Sequence, residues 1–380
     1  MLLRDFIFQS AFAKNKGFDI MKNRIYSVIT GTGSYLPPHK VSNSEFLTNT
    51  FYGPDGIKFK NDNQDIITKF EKITNITERR YADDNHVASD LAFFASEDAI
   101  KTAGIDKETI DYIIVAHNFG DVKNGTFNVD IMPSLASRVK HKLGIVNPKC
   151  IPYDLPFGCP GWLQGVIQAD YFIRSGDAKR VLVIGAETLS RVVDKHDRDS
   201  MIYSDGAGAI ILDAVESEKP IGILSHSMRS DTVSEVNFLW MDASYHPENA
   251  DTDIFLKMDG KKLYEYALNT VPGVLKEAIE KAGLGLHDIK KVLIHQANSK
   301  MNEAILKRTF GLFGVSEVPE GIMPMIISWL GNNSVATIPT LLDLIVKNKI
   351  DGQSINKNDF IMFASVGAGM NINAVIYKVA

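Results

Sequence analysis

Cys159 has the sequence context of a nucleophile more clearly than any other residue of the chain. An apolar stretch leads into Phe157-Gly158, and a long amphipathic segment begins after Pro160. Proline is favoured at the first position of a helix, so the pattern predicts a strand-to-helix turn with Cys159 as the helix N-cap. A thiol placed there faces the positive end of the helix dipole, which favours the thiolate. A small residue that only fits a packed turn would give the same local sequence.

The second and last cysteine, Cys150, lies in an apolar stretch without these features and is predicted to be part of the core. Two cysteines in 380 residues exclude a disulfide framework. Such a low number fits a reducing compartment, and a cytoplasmic location is predicted.

Two other polar residues have positions suited to chemistry. His295 closes the predicted strand at 291–294 and precedes a new helix. Open α/β folds place their reactive groups at the carboxyl ends of strands, although a hydrogen-bonded histidine of no catalytic role would occupy the same position. Asn332 follows Gly331 and precedes another helix, where asparagine is also common as a turn residue.

An internal repeat predicts the architecture that must position these residues. Residues 98–105 (DAIKTAGI) resemble residues 277–284 (EAIEKAGL), and a helix–strand pair within 159–188 recurs within 335–369. Alternating helices and buried strands indicate layered α/β sheets built from two copies of one unit. We predict halves at 22–215 and 216–380, with Cys159 and Asn332 at equivalent positions facing a shared centre. Residues 1–21 are predicted to be a disordered leader or a misassigned start.

Composition narrows the function classes. The net charge of −5 argues against a surface that is generally basic and coats nucleic acid. No apolar run reaches the ~18 residues that a membrane-spanning helix needs. No Cys/His ligand cluster occurs in the sequence, so no metal site is predicted.

Several motifs together resemble the β-ketoacyl-acyl-carrier-protein synthase III family over roughly residues 22–380. They are the Cys159 turn, His295-Gln296-Ala297-Asn298, Gly331-Asn332-Asn333-Ser334, Gly367-Ala368-Gly369, Thr77-Glu78-Arg79-Arg80 and the segment from Asp197-Arg198 to Ala209. The resemblance implies the thiolase fold, in which two duplicated α/β halves form an αβαβα sandwich. It also implies a homodimeric acyltransferase of fatty acid synthesis initiation.

By this resemblance Cys159 accepts an acyl group from an acyl thioester, and malonyl-acyl-carrier protein then loses CO₂. His295 and Asn332 are implied to donate hydrogen bonds to the malonyl thioester carbonyl. The backbone N–H groups of Cys159 and Ala368 are implied to form the oxyanion hole. Acyl-CoA and malonyl-acyl-carrier protein are the implied substrates, and no cofactor is required.

The resemblance also implies residues that bind the substrates, and at two positions this chain departs from the family pattern. One face of the predicted helix after His295 carries Lys300, Lys307 and Arg308. The resemblance implies that these residues, with Asn298 and Arg198, bind carrier protein or coenzyme A. The alternative is a basic helix face that is only solvated. Met132 and Phe157 are implied to shape the acyl pocket. Where the family often has a tryptophan and an arginine that hold the adenine of coenzyme A, this chain has Lys69 and Ile73.

Alternative functions remain open at this point. A specialised condensing enzyme for dialkylresorcinol, polyketide or long-chain ketone products would share the same residues. A catalytically silent partner subunit is disfavoured because such subunits usually lack the cysteine. A thiolase would need a second cysteine near Gly367, and a Rossmann dehydrogenase would need a third glycine after Gly31-Thr32-Gly33.

Overall fold

The computed structural model describes residues 24–249 and 253–380. The prediction for residues 1–21 lies outside the described residues. In chain order the strands are β1 (Arg24–Tyr35), β2 (His39–Ser42), β3 (Glu78–Tyr81), β4 (Tyr112–His117), β5 (Asp121–Val122), β6 (Val129–Asp130), β7 (Ile151–Pro156), β8 (Arg180–Thr188), β9 (Asp205–Ser217), β10 (Gly222–Ser230), β11 (Leu239–Ala243), β12 (Ile254–Met258), β13 (Ile289–Ile294), β14 (Phe360–Gly367) and β15 (Asn371–Lys378). The helices are α1 (Asn63–Thr74), α2 (Ala88–Ala103), α3 (Leu135–Leu143), α4 (Gly161–Ser175), α5 (Gly260–Lys281), α6 (Ser299–Gly311), α7 (Ile327–Leu330) and α8 (Thr337–Val346).

Two sheets form the framework, and they repeat one another strand by strand. The first has the order β1-β9-β8-β4-β7 and the second has the order β10-β15-β14-β13. In each sheet the first two pairings are antiparallel and the third is parallel. The first sheet has one additional parallel strand, β7, at its edge. This correspondence matches the internal repeat of the sequence. The boundary at 215/216 between the two halves stays a prediction, and it falls within β9, which continues to Ser217.

The sheets and helices stack in five layers, and the predicted thiolase-type architecture is confirmed. Helices α4 and α8 lie between the two sheets, where their apolar side chains pack against residues of both, such as Val183 and Phe363. Helices α2 and α3 cover the outer face of the first sheet, with Cys150 buried in the same cluster as predicted. Helices α5 and α6 cover the outer face of the second sheet. Within the two described ranges, none of the helices is long and apolar enough to cross a membrane.

A two-stranded hairpin, β11–β12, packs beside the framework and is tied to it by a buried ion pair. Lys257 Nζ lies 2.7 Å from Asp194 Oδ2, and both side chains are fully buried. The ammonium also sits 3.4 Å from the centre of the Tyr245 ring. Removing one partner of such a buried pair typically costs about 3–5 kcal/mol, because the other charge is left uncompensated. This contact fixes the hairpin against the loop that carries Arg198.

Candidate active site

Cys159 lies in the turn between β7 and α4. Pro160, with φ −72° and ψ −2°, is the helix N-cap, so the prediction that Cys159 itself is the N-cap is wrong by one residue. Proline tolerates this place at a helix start because it has no N–H to satisfy. The turn is closed by the N–H of Gly161, which donates to the carbonyl of Gly158 at 2.9 Å.

Two glycines allow the cysteine turn to approach the loop after β14. Gly158 has φ +73°, and a Cβ there would meet the carbonyl oxygen, nitrogen and Cβ of Ala368 at 3.0–3.2 Å. A Cβ on Gly367 would lie 2.7 Å from both the nitrogen and the Cβ of Cys159. The backbone at Ala368 therefore touches the turn that holds the thiol.

Burial raises the pKa of the Cys159 thiol to about 11. The hydroxyl of Ser334 and the backbone N–H groups of Cys159 and Ala368 act in the opposite direction, and Glu187 reinforces the increase. The side chain is nevertheless partly open to the cavity described below. The prediction that the helix start favours the thiolate is therefore wrong in direction, because burial adds the cost of desolvating a thiolate.

His295 directly follows β13 and is 3% exposed. The backbone N–H of His295 donates to the carbonyl of Ala364 at 2.8 Å, and this bond extends the parallel pairing of β13 with β14 by one residue. Burial lowers the pKa of the imidazole to about 4, against a weaker opposing effect of the Ser334 backbone. The ring is therefore neutral near pH 7 and can donate one hydrogen bond.

Asn332 is held so that its amide nitrogen remains available. Its backbone pairs with the loop before β9: its N–H donates to Ile202 and its carbonyl accepts from Ser204, both at 2.9 Å. Its side-chain Oδ1 accepts the N–H of Ser334 at 2.8 Å. With the oxygen occupied in this way, the NH₂ end is the donor that the side chain presents to the cavity.

One cavity of about 1900 Å³ brings most of the predicted site residues together. Those that line it are Cys159, His295, Asn332, Ala368, Phe157, Arg198, Asn298 and Lys300. Its volume is well above the ~300–1,000 Å³ of common ligand pockets. The cavity can therefore hold an extended substrate as well as the reacting groups.

Several of the residues that line this cavity lie at the carboxyl ends of strands. Cys159 follows β7, His295 follows β13 and Ala368 follows β14, and each of these strands runs parallel to a neighbour in its sheet. The carboxyl ends of parallel strands meet at one edge of a sheet, which is where open α/β folds collect ligands. The duplication places both such edges at the same cavity.

The same edge contains polar residues that the sequence motifs do not single out. Asn118 follows β4, and Glu187 lies near the end of β8 with 2% exposure. Ser334 was noted only as part of a motif, yet its hydroxyl donates to Cys159 Sγ at 3.2 Å. A search for polar residues at the ends of all predicted parallel strands would have identified Asn118 and Glu187.

The predicted substrate-binding residues divide into those that line the cavity and those that lie outside it. Arg198 lies with its guanidinium carbon 5.5 Å from the centre of the Phe59 ring, and Lys69 and Ile73 also line the cavity. Lys307 is exposed outside it, away from the cavity wall.

Two further predicted binding residues lie apart from the cavity. Arg308 binds the Leu268 carbonyl and Asn269 Oδ1, at 3.0 and 2.7 Å. Met132 is 83% exposed and is not part of the cavity wall of this chain. No cluster of three or more potential metal-ligating His, Cys, Asp or Glu side chains occurs in the part of the chain that the structure describes.

Comparison with known proteins gives a consistent result. A family model described as 3-oxoacyl-[acyl-carrier-protein (ACP)] synthase III matches residues 153–232, and the model of the C-terminal part of the same family matches residues 279–379. The structure of β-ketoacyl-[acyl carrier protein] synthase III from Thermus thermophilus is similar, with 29% identity, a TM-score of 0.76, and 93% of this chain and 99% of that chain covered.

Two other solved structures extend this similarity. The 3-oxoacyl-[acyl-carrier-protein] synthase III of Aquifex aeolicus shares 28% identity, with a TM-score of 0.74 and coverage of 93% and 99%. The priming β-ketosynthase of the R1128 polyketide biosynthetic pathway shares 26% identity, with a TM-score of 0.75 and coverage of 96% and 99%. The chain therefore belongs to the 3-oxoacyl-[acyl-carrier-protein] synthase III family of thiolase-fold condensing enzymes.

Proposed function

We propose that this enzyme condenses an acyl thioester with malonyl-acyl-carrier protein and releases CO₂ to give a β-ketoacyl product. The observation that carries the proposal is the meeting of Cys159, His295 and Asn332 on the wall of one cavity. A thiol nucleophile and two neutral hydrogen-bond donors are the groups that this reaction needs.

In the first half-reaction, Cys159 loses its proton and its sulfur attacks the carbonyl carbon of the acyl thioester. The resulting oxyanion accepts hydrogen bonds from the backbone N–H groups of Cys159 and Ala368, the two groups that already favour the thiolate in the free enzyme. The carbonyl re-forms, the carrier or coenzyme A thiolate leaves and takes up a proton, and the acyl group remains on Cys159.

In the second half-reaction, the malonyl thioester carbonyl lies between His295 and Asn332. Loss of CO₂ leaves an enolate, and both side chains donate to its oxygen. Neutral imidazole and carboxamide suit this task, since an anionic side chain would oppose the developing charge. The enolate carbon then attacks the acyl-cysteine, and Cys159 departs as the thiolate.

The acidic carrier protein is proposed to approach over α6. Lys300 on the cavity wall and the exposed Lys307 lie on this helix. Arg308 supports the docking face less directly, because its guanidinium is bound to α5. We assign the reaction to the cytoplasm, where thiols remain reduced.

We also propose that two chains form a homodimer through β7. This strand is an edge of its sheet in the described residues, and every one of its residues is partly or fully exposed. Unpaired strand edges are rarely left uncovered in native proteins. The exposed apolar side chain of Ile151, the first residue of this strand, would be buried with it. Sedimentation of a monomer at micromolar concentration would contradict this assignment.

A specialised condensation of long acyl chains is the second candidate. The cavity wall includes Ile66, Phe70 and Ile73 of α1 together with Met241 and Met258 of the β11–β12 hairpin. These apolar side chains, in a cavity of about 1900 Å³, suit an acyl chain longer than acetyl.

The deciding experiment combines purified enzyme, malonyl-acyl-carrier protein and acyl-CoAs from acetyl to dodecanoyl, with products identified by mass spectrometry. The proposal predicts β-ketoacyl-carrier protein with wild type and none with Cys159→Ala. Preference for acetyl-CoA supports initiation of fatty acid synthesis, and preference for long chains supports the specialised role. Absence of any condensation product with all donors, carrier-bound ones included, would indicate a silent partner subunit.

A further inference from the structure

We propose that Ser334 is the hydrogen-bond donor that holds and stabilises the Cys159 sulfur throughout catalysis, with Asn118 fixing the direction of its hydroxyl. Ser334 Oγ lies 3.2 Å from Cys159 Sγ and donates to it. Asn118 Nδ2 donates to Ser334 Oγ at 2.9 Å. Because the amide occupies a lone pair of the hydroxyl oxygen, the hydroxyl hydrogen is directed to the sulfur.

Ser334 also contacts the rest of the candidate site. Its backbone N–H holds Asn332 Oδ1 at 2.8 Å, and the side chain is 3% exposed. The residue has φ +49°, a left-handed conformation that is costly for any residue except glycine. Strained backbone of this kind persists where surrounding contacts over-determine it, and it clusters at active sites.

Asn118 is itself anchored at its other end. Its backbone N–H donates to Glu187 Oε1 at 2.9 Å, and burial raises the pKa of Glu187 well above its usual range. The chain of contacts therefore runs from Glu187 through Asn118 and Ser334 to the sulfur.

The distinct role of Ser334 follows from the competition for the other donors, and here the inference rests on the proposed function. In the free enzyme the backbone N–H groups of Cys159 and Ala368 lower the pKa of the thiol, as Ser334 does. Once an acyl carbonyl occupies the oxyanion hole, those two donors serve its oxygen. Ser334 then remains as the donor to sulfur, both when the thiolate attacks and when it leaves during condensation.

The test measures alkylation of Cys159 by iodoacetamide, followed by peptide mass spectrometry from pH 6 to 9. Alkylation requires the thiolate but no acyl substrate, so its result is independent of whether the enzyme condenses malonyl groups. The variants are Ser334→Ala, Ser334→Gly and Asn118→Ala. Ser334→Gly removes the hydroxyl while relieving the positive φ. Ser96→Ala is the matched control, because Ser96 is a buried serine on α2 that is bonded to the Ala92 carbonyl.

Loss of a hydrogen bond to a charged group raises the thiol pKa by about one to two units, and the partly compensating gain in nucleophilicity reduces the rate effect to about 3- to 10-fold. Both Ser334 variants are expected to react slower than wild type by this factor at each pH, and Asn118→Ala to shift in the same direction by less. The Ser96→Ala control should match wild type. Rates within twofold of wild type in both Ser334 variants would overturn the proposal. So would a slow Ser334→Ala beside a normal Ser334→Gly, since that pattern assigns the effect to the backbone.

Discussion

Exchanging Asn332 for aspartate is expected to separate the two half-reactions. Aspartate has the same shape, and one of its oxygens can accept the Ser334 N–H that Asn332 Oδ1 now accepts at 2.8 Å. The other oxygen replaces the NH₂ group that the cavity presents to substrate. The variant thus changes a donor into an anion with little change of volume.

The expected loss has two parts. Removing one donor to a developing oxyanion typically costs about 10²–10³ in rate. A carboxylate ~4 Å from the enolate oxygen adds a repulsion of about 4 kcal/mol at an effective dielectric constant of ~20, or about another 10³. Release of CO₂ from malonyl-acyl-carrier protein should therefore fall by about 10⁵ near pH 8. Acylation of Cys159 should change by less than about tenfold, because Asn332 reaches the sulfur only through Ser334.

The decarboxylation activity of Asn332→Asp should also depend on pH in a way that the wild type does not. Asn332 is 4% exposed, and burial would raise the pKa of an aspartate at this position. Below that pKa the carboxyl group is neutral and its O–H can donate. Activity of Asn332→Asp should therefore rise as pH falls from 8 to 6, by up to about tenfold per unit. Wild type should show no such rise, since the pKa of His295 is about 4 and its ring stays neutral over this range.

The assay is CO₂ release beside intact-mass measurement of the acyl-enzyme. Asn348→Asp, an exposed site away from the cavity, is the control for the chemical exchange itself. Equal loss of acylation and decarboxylation in Asn332→Asp, or full decarboxylation at pH 8, would show that Asn332 is not the donor to the enolate oxygen.

Three further predictions address other parts of the site. Gly158→Ala places a Cβ about 3 Å from Ala368 at φ +73°, so unfolding by denaturant should show a loss of about 1–2 kcal/mol together with slower acylation; unchanged stability would contradict the strained turn. Alkylation of wild-type Cys159 should accelerate about tenfold per pH unit from 7 to 10, because its pKa is about 11 and the thiolate fraction rises with pH below that value; a plateau before pH 9 would contradict the effect of burial. Lys307→Glu should raise the KM for malonyl-acyl-carrier protein severalfold at low salt and lose this effect near ~1 M salt, where charges are screened within ~3 Å; a salt-independent KM would contradict docking over α6.

Much of the fold was accessible from the sequence because the duplication is visible in it. The recurrence of DAIKTAGI as EAIEKAGL predicted corresponding helix–strand units, and the two sheets repeat the same order and pairing. The positions of Cys159, His295 and Asn332 were also accessible, since each follows a predicted strand or precedes a predicted helix. Strand ends and helix starts are local features that periodicity and capping residues encode.

The contacts between segments that are distant in the chain could not be predicted from the sequence. The hydrogen bond from Ser334 to Cys159 joins residues 175 positions apart, and the bond from Asn118 to Ser334 joins residues 216 apart. The burial of Lys257 against Asp194 depends on how one hairpin packs, which no local pattern specifies. The raised pKa of Cys159 has the same origin, because desolvation is a property of the assembled cavity rather than of the turn.

The role of Cys159 as the acyl-accepting nucleophile is tested by peptide mapping of the enzyme after brief incubation with acyl-CoA or acyl-carrier protein. Cys150 is an internal control, since it is fully buried in the core and burial also raises its pKa to about 11. We expect an acyl group on Cys159 alone, which is discharged on addition of malonyl-acyl-carrier protein with formation of β-ketoacyl product. Equal acylation of both cysteines, or a Cys159 adduct that malonyl-acyl-carrier protein does not discharge, would contradict it.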